Sequence, residues 1–193
     1  MDKEALQRRC QAIAPLLKDG SAEVRSAAAA ALETLEAALS LDDILLSLRK
    51  GDRGTRIRAI YALGAIGGDQ VLQPLLYCIG RDEEDIKTAA IEALGKLAHP
   101  AALAKLAEKL KDPSPSVRAC AISALSRYRD PSLKPLFISF LAAADGMQDA
   151  EAALALGELR DPSVEGDLLP LIRSPHEKTR AAAAQALALL PAL

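Results

Sequence analysis

The repeating unit of this chain is clearest in residues 112–128, which read DPSPSVRACAISALSRY. The same pattern returns every 31 residues along the 193-residue chain, and each copy ends in two apolar residues three positions apart. These pairs are Leu32–Leu35, Leu63–Ile66, Leu94–Leu97, Leu125–Tyr128, Leu156–Leu159 and Leu187–Leu190. Since a fixed period of about 20 to 50 residues is typical of solenoids and repeat arrays, the chain is predicted to be a stack of six similar units.

We number each copy from the residue eight positions before its first apolar end residue. Position zero is then Val24, Thr55, Ile86, Val117, Gln148 and Thr179. Apolar residues at positions four, seven, eight and eleven form one face of a helix with about 3.6 residues per turn. Position seven is alanine in every copy. A small residue at the centre of an apolar face lets neighbouring helices pack closely, so we expect the helices of successive units to be in direct contact.

The segments between these helices predict a second, shorter helix in each unit. They open at turn signals, which are Gly68-Asp69, His99-Pro100, Asp130-Pro131 and Asp161-Pro162. Proline is favoured in a first helical turn, where its missing N–H is not needed. We call this shorter helix A and the repeated phrase helix B. The predicted fold is all-α: one α-solenoid domain over residues 1–193, built from six helix-turn-helix units of 31 residues. Its B helices are centred near residues 24–35, 55–66, 86–97, 117–128, 148–159 and 179–190.

The phrase D-x-x-x-x-V-R-x-x-A-x-x-A-L-x-x-L resembles the short HEAT-like repeat of phycobilisome lyases. It is seen in residues 19–35 and 112–128, and the resemblance extends over nearly the whole chain. It implies a right-handed stack in which the B helices line the inner, concave face. In that family the concave face usually binds a protein partner, so the resemblance also implies a protein-binding role.

Composition argues against several other classes of protein. The chain has 24 basic and 26 acidic residues, a net charge of −2, whereas nucleic-acid binders usually carry a basic excess. Three Tyr, two Phe and no Trp leave few rings for stacking on bases or flat cofactors. No apolar run approaches the roughly 18 residues that a transmembrane helix needs, and the N-terminus lacks the features of a secretory signal. We therefore expect neither nucleic acid nor a membrane as partner.

Cysteine and histidine give no pattern typical of a reactive or metal site. Cys10, Cys78 and Cys120 are three in number and have no C-x-x-C spacing, so we interpret them as buried thiols in a reducing cytoplasm. The pair His176-Glu177 is similar to the iron-binding pairs of HEAT-like deoxyhypusine hydroxylases, but a di-iron site needs several such pairs, and the only other histidine, His99, precedes Pro100. No catalytic residue, metal or cofactor is expected, and the chain is predicted not to be an enzyme.

Position one carries a row of basic residues with one exception. The predicted structural ladder is Arg25, Arg56, Lys87, Arg118 and Arg180. Because Asp19 and Asp112 lie six residues before two of these arginines, we expect the arginines to bond the turn carboxylates and the nearby backbone carbonyls. Asp149 interrupts the row. It is open to two interpretations: a bridge between cations of the adjacent repeats, or an acidic spot on the inner face that selects a basic partner.

The leading hypothesis is a non-enzymatic scaffold that binds a protein on the concave B-helix face, with Tyr61 as an anchor. Position six points away from the apolar stripe, and with positions two and nine or ten it should form the concave surface. The predicted partner-binding residues are Tyr61, Ile57, Thr88, Glu92, Lys96, Ser123, Arg127, Asp149, Leu154, Glu158 and Gln185. One alternative is a bilin-lyase-like subunit that holds a chromophore and its acceptor protein. A third is nucleic-acid handling, as in some HEAT-like DNA glycosylases. The last B helix is rich in Ala and Leu, which suggests a homodimer contact.

Overall fold

A computed structural model describes residues 3–191, apart from the side chains at positions 3, 37 and 38. These residues form twelve α-helices and no β-strand, which confirms the all-α prediction. The helices are α1 (Lys3–Ile13), α2 (Ala22–Leu39), α3 (Leu41–Lys50), α4 (Arg53–Ile66), α5 (Asp69–Cys78), α6 (Glu84–Leu97), α7 (Leu103–Glu108), α8 (Pro115–Ser126), α9 (Lys134–Phe140), α10 (Gln148–Glu158), α11 (Glu165–Leu168) and α12 (Glu177–Leu189). None of the helices in this range is both long and apolar enough to cross a lipid bilayer.

The even-numbered helices are the B helices of the six repeats, and each overlaps its predicted range. The A helices are less regular. In the last three repeats, α7, α9 and α11 are short and are continued at both ends by 3-10 turns. Pro135 lies at the start of α9, and Pro170 lies in the 3-10 turn that follows α11. Because Pro170 has no N–H to donate to the preceding turn, it accounts for the end of α11. Pro135 lies in a first helical turn, where the missing N–H is not needed.

The turn from each later B helix into the next A helix has a common structure. The side chains of His99, Asp130 and Asp161 each accept a hydrogen bond from the backbone N–H two residues ahead. The residue just before each cap has a positive φ, namely Ala98, Arg129 and Arg160. The side chain therefore satisfies a backbone donor that the helix start leaves unpaired. The predicted turn signals at these three sites are confirmed.

The chain divides into two compact units, one up to Pro74 and the other from Leu75 onward. In the first unit α1 packs against α2, α3 against α4, and α2 against α4. Its buried side chains include Leu6, Leu32, Ile60 and Leu63. This unit also leaves three leucines substantially exposed, Leu16, Leu17 and Leu46.

In the second unit the B helices α6, α8, α10 and α12 pack side by side in chain order, and A segments pack against them. The fully buried side chains include Ile91, Ile122, Leu125, Phe137 and Leu156. Burial of such side chains is the main source of stability in a repeat protein.

The B helices of the second unit approach very closely at two glycines. A Cβ atom placed on Gly95 would lie 2.7 Å from the Cβ of Ala124, and one on Gly157 would lie 2.6 Å from the Cα of Ala186. Each glycine is at position nine of its repeat, and each alanine is at position seven of the next. In both pairs, the alanine that all six repeats share at position seven packs against the glycine at position nine of the preceding repeat.

Candidate functional site

The arginines of the structural ladder hold the turn that precedes their own helix. Arg25 Nη1 donates to the carbonyl oxygens of Asp19 and Gly20, at 2.7 and 3.0 Å. Arg118 Nη1 makes the same two bonds one turn before α8, and Arg180 Nη1 makes them before α12. The arginines thus bond the carbonyls of the turn, as expected. The prediction that they also bond the turn carboxylates is wrong for the described residues. Asp19 accepts from the Ser21 N–H, and Asp112 accepts from Lys87 and from the Ser114 N–H.

A second set of polar contacts joins each repeat of the second unit to the next. Lys87 Nζ donates to Asp112 Oδ2 at 2.8 Å, and Arg118 Nε donates to Gln148 Oε1 at 2.7 Å. Burial raises the pKa of Asp112, but the hydrogen bond from Lys87 and that from the Ser114 N–H outweigh it, so the pKa lies below its ordinary value. These charge-assisted bonds fix the register between neighbouring repeats.

Asp149 belongs to this inter-repeat set and is not a surface residue. Its side chain is 1% exposed, and its Oδ2 accepts a hydrogen bond of 2.8 Å from Thr179 Oγ1 of the next repeat. The prediction of an acidic spot that a partner can reach is therefore wrong. The prediction of a bridge to cations is wrong as well, because within residues 3–191 the bond to Thr179 takes the place of an ion pair with Arg118 or Arg180. Position zero of the next repeat supplies a hydroxyl here instead of an aliphatic side chain.

The rest of the position-one row is less uniform. Lys87 bonds only across to the next repeat, as described above, and Arg56 is half-buried in the first unit. The ladder is a set of local turn contacts in some repeats and of cross-repeat contacts in others.

The B helices of the second unit form a groove of about 620 Å³ on the side away from the A segments. Residues of α6, α8 and α10 and of the turns that follow them line it. They are Gly95, Lys96, Ala98, Ser123, Ser126, Arg127, Arg129, Glu151, Leu154 and Glu158. No residue of an A helix is among them. Charged side chains, serines, one leucine and small residues therefore share the lining of the groove.

Five of the predicted partner-binding residues come together in this groove: Lys96, Ser123, Arg127, Leu154 and Glu158. Two others lie beside it. Glu92 forms an ion pair of 2.8 Å with Lys96, and Thr88 accepts the Cys120 thiol at its carbonyl oxygen.

The remaining predicted residues lie elsewhere. Tyr61, which is 44% exposed, and the half-buried Ile57 belong to α4 in the first compact unit. Gln185 is exposed on α12 and does not line the groove. The groove therefore gathers five of the eight predicted residues of three successive repeats, and none of the three from the other repeats.

The charges of the groove are arranged unevenly along the helices. Lys96, Arg127 and Arg129 lie near the C-terminal ends of their helices, whereas Glu151 lies near the N-terminal end of α10. Arg129 pairs with Glu158 at 3.2 Å, and the two side chains are 73% and 44% exposed. Arg127, by contrast, is exposed, and its side chain makes no hydrogen bond or ion pair with any of residues 3–191. Its guanidinium is the cation of this groove that is available to a ligand.

Half of the groove was not predicted. Gly95, Ala98, Ser126, Arg129 and Glu151 are lining residues that fall outside the predicted set. Two of them, Ala98 and Arg129, lie at position twelve, where the positive φ turns the chain back over the helix end. Glycine at the same position of the second repeat, Gly67, is the signal that could have revealed this conformation.

The cysteine beside the groove is a structural residue. Cys120 Sγ donates to the Thr88 carbonyl oxygen at 3.5 Å. Burial, together with the charges of Glu92 and Glu151, raises the pKa of its thiol to about 11. A thiol with so high a pKa is a poor nucleophile at neutral pH. Within residues 3–191, no cluster of three or more His, Cys, Asp or Glu side chains could hold a metal ion.

His176 occupies the N-cap position of α12 and is half-buried. A ring nitrogen lies 3.0 Å from the carbonyl oxygen of Ala144, in the turn before α10. The ring also packs against Gly146, whose φ is +75° and where a Cβ atom would lie 2.9 Å from the imidazole. This histidine therefore links the turns of the last two repeats.

Comparison with known proteins agrees with this architecture. The family model for HEAT repeats matches residues 11–95 and again residues 75–147. No curated protein matches the sequence. The two matched stretches together extend over more than two thirds of the chain, across helices that alternate as A and B. The chain belongs to the HEAT repeat family.

Proposed function

We propose that this protein is a non-enzymatic adaptor that binds a partner protein in the groove lined by α6, α8 and α10. HEAT repeats commonly mediate protein–protein interaction, and the family is generally a scaffold fold. The observation that carries the proposal is the groove itself, where side chains from three consecutive repeats meet and the Arg127 guanidinium has no polar partner among residues 3–191. A partner would supply the hydrogen-bond acceptor that this guanidinium lacks.

Rigid packing below the groove supports the same role. Gly95 and Ala124 are in such close contact that α6 and α8 have no room to move together further, and cross-repeat bonds such as that from Arg118 to Gln148 fix the register. A surface that is already formed has little conformational entropy to lose on binding. Specific recognition is therefore compatible with a groove of modest size.

Site-specific photo-crosslinking tests the proposal. A photoreactive amino acid at Ser123, in the groove, should capture a partner from the source cell, and the same group at the exposed Ala104 of α7 should not. Leu154→Arg places a charge on the half-buried apolar part of the groove and should abolish capture from position 123. Equal capture from both positions, or capture that survives Leu154→Arg, would contradict the proposal.

The two other functions suggested by the sequence give different results. No aromatic side chain lines the groove, which disfavours a flat chromophore, and its mixed charges disfavour a phosphate backbone. A change in tetrapyrrole absorbance on adding the protein would instead favour a bilin-lyase-like role. Salt-dependent retention on a DNA column would favour nucleic-acid handling.

Two further features belong to the same proposal. The outer face of α12, with Ala181, Ala184 and Ala188 exposed, is proposed as a homodimer contact, and sedimentation of the protein with Ala184→Glu tests it. The free thiols at positions 10, 78 and 120 suit a reducing compartment, and we propose the cytoplasm.

A further inference from the structure

The charged side chains of the groove differ between its two ends, and this difference restricts which ligands can bind in it. Glu151, Leu154 and Glu158 are spaced so that they share one face of α10. At a rise of about 1.5 Å per residue, Glu151 lies roughly 10 Å from the level of Glu158 along the helix. Lys96 and Arg127 are at the same repeat position as Glu158, so the cations gather at one end of the groove and Glu151 lies at the other.

At the cationic end, the Arg127 side chain has no polar partner among residues 3–191, whereas Lys96 and Arg129 are each in a weak ion pair. Lys96 is held by Glu92 and Arg129 by Glu158, and all four side chains are more than 40% exposed. Exposed ion pairs contribute little to stability, so an arriving carboxylate can compete for either cation. Arg127 needs no such exchange, because its guanidinium has no polar partner in the part of the chain that the structure describes. An Arg guanidinium binds a carboxylate through two parallel hydrogen bonds, which favours an acidic ligand at this point.

The middle of the groove differs from its ends. Leu154 is a half-buried apolar residue, and Ser123 is its half-buried neighbour in the lining of the groove. An apolar side chain of a ligand would cover Leu154 and remove its exposed surface from water. Arg127 follows α8 and Glu151 lies on α10, so the axial offset of about 10 Å combines with an interhelical spacing of about 8–10 Å. The resulting separation of roughly 14 Å corresponds to about four residues of an extended chain, at roughly 3.3 Å per residue.

We propose that the groove binds an extended peptide segment whose acidic side chain contacts Arg127 and whose neighbouring apolar side chain contacts Leu154. This inference rests on the function proposed above and names the chemistry of the partner. The acidic group is a side chain within the segment. A basic residue about four positions away completes the match at Glu151.

Peptide selection tests this proposal directly. The probe is a library of random dodecapeptides displayed at the N-terminus of a carrier protein, so that no library peptide ends in a free C-terminal carboxylate. The wild-type protein should enrich peptides with Asp or Glu beside an apolar residue. Arg127→Glu should weaken binding of those peptides by about tenfold or more and should enrich basic peptides instead.

A matched control separates the groove from the overall charge of the protein. Arg173 is exposed in the 3-10 turn after α11 and does not line the groove, so Arg173→Glu should leave both affinity and selected sequences unchanged. Synthetic copies of the selected peptides with amidated C-termini should retain their affinity. Thermal unfolding followed by circular dichroism checks that each variant is folded.

The outcomes distinguish this inference from the function on which it rests. Selected peptides that lack an acidic residue, but whose binding Leu154→Arg abolishes, would overturn the acidic ligand and leave the groove as a binding site. Loss of binding on amidation would also overturn the proposed side-chain carboxylate. If neither Arg127→Glu nor Leu154→Arg changes binding, or if no peptide is enriched, both the acidic ligand and peptide binding in the groove are overturned.

Discussion

The helices α2 and α10 carry the same repeat phrase but are packed very differently. Of the α2 side chains that the structure describes, Ala28 and Leu32 are buried, whereas eight residues of α10 are buried. Part of this difference comes from position in the chain, since α12 also has one B-helix neighbour and buries four residues. The two repeats also differ at position nine, which is Glu33 in the first repeat and Gly157, packed against Ala186, in the fifth. The comparison shows that the phrase specifies a helix, while a small residue at position nine permits a close neighbour.

The largest effect should come from filling the space at position nine. Gly157→Val places side-chain atoms against the backbone of Ala186, where even a Cβ would lie 2.6 Å from the Cα, and should destabilise the second unit by about 3 kcal/mol. Urea denaturation followed by circular dichroism measures this. The control is Gly20→Ala in the first unit, where nothing lies within 4 Å of the new methyl group. A similar loss for both variants would remove close packing as the difference between the two regions.

A smaller effect is expected at the buried carboxylate of α10. Thr179→Val keeps the shape of the side chain but removes the hydroxyl that donates to Asp149, whose other oxygen already lacks a hydrogen-bond partner. The change should cost about 2 kcal/mol, because a buried carboxylate is then left without a donor. In a double-mutant cycle, adding Asp149→Ala should recover part of that loss. Strictly additive effects would show that the two side chains do not interact.

The two ladder arginines test whether cross-repeat bonding distinguishes the regions. Arg118 bonds the carbonyls of its turn and also Gln148 of the next repeat, while the exposed Arg25 is seen to bond only its own turn. Arg118→Ala should cost about 1.5 kcal/mol, and Arg25→Ala less than about 1 kcal/mol. Unfolding midpoints in urea give both values. A larger loss for Arg25→Ala would reverse the comparison.

The smallest effect concerns pH. Hydrogen bonds from Lys134 and Ser163 lower the pKa of Asp161 to about 2, from an ordinary value of 3.8. Because the folded state has the lower pKa, this contribution to stability is present above about pH 4 and is lost as the pH falls toward 2. Lys134→Met removes the 2.6 Å bond and should raise the pKa, which carboxyl NMR titration can follow. An unchanged titration midpoint would contradict this assignment.

Much of this architecture could be predicted from the residues alone. The 31-residue period gives the B helices and their apolar faces, and the Asp-Pro and His-Pro pairs give three of the turns. Five groove residues were predicted because positions six and ten point away from the apolar stripe. Position ten alone supplies Lys96, Arg127 and Glu158. In these cases the prediction depends only on the direction in which a residue points from its own helix.

The residues that were placed wrongly or missed depend on a neighbouring helix. Asp149 is polar at a position where other repeats have a cation, and only the facing Thr179 explains its burial. Arg129 lines the groove because the chain turns back through a positive φ of 49° at that residue, which its own side chain does not favour. Neither fact is contained in the periodicity.

The sequence by itself determined the helical repeat, the period and the face that each side chain occupies, because a helix of 3.6 residues per turn converts spacing into direction. Only the tertiary structure decided which residue of one repeat meets which residue of the next. The observed pairs are 25 to 32 residues apart, as in Lys87 with Asp112 and Cys120 with Thr88. Such offsets depend on how closely two helices approach, and side-chain volume at the contact sets that distance.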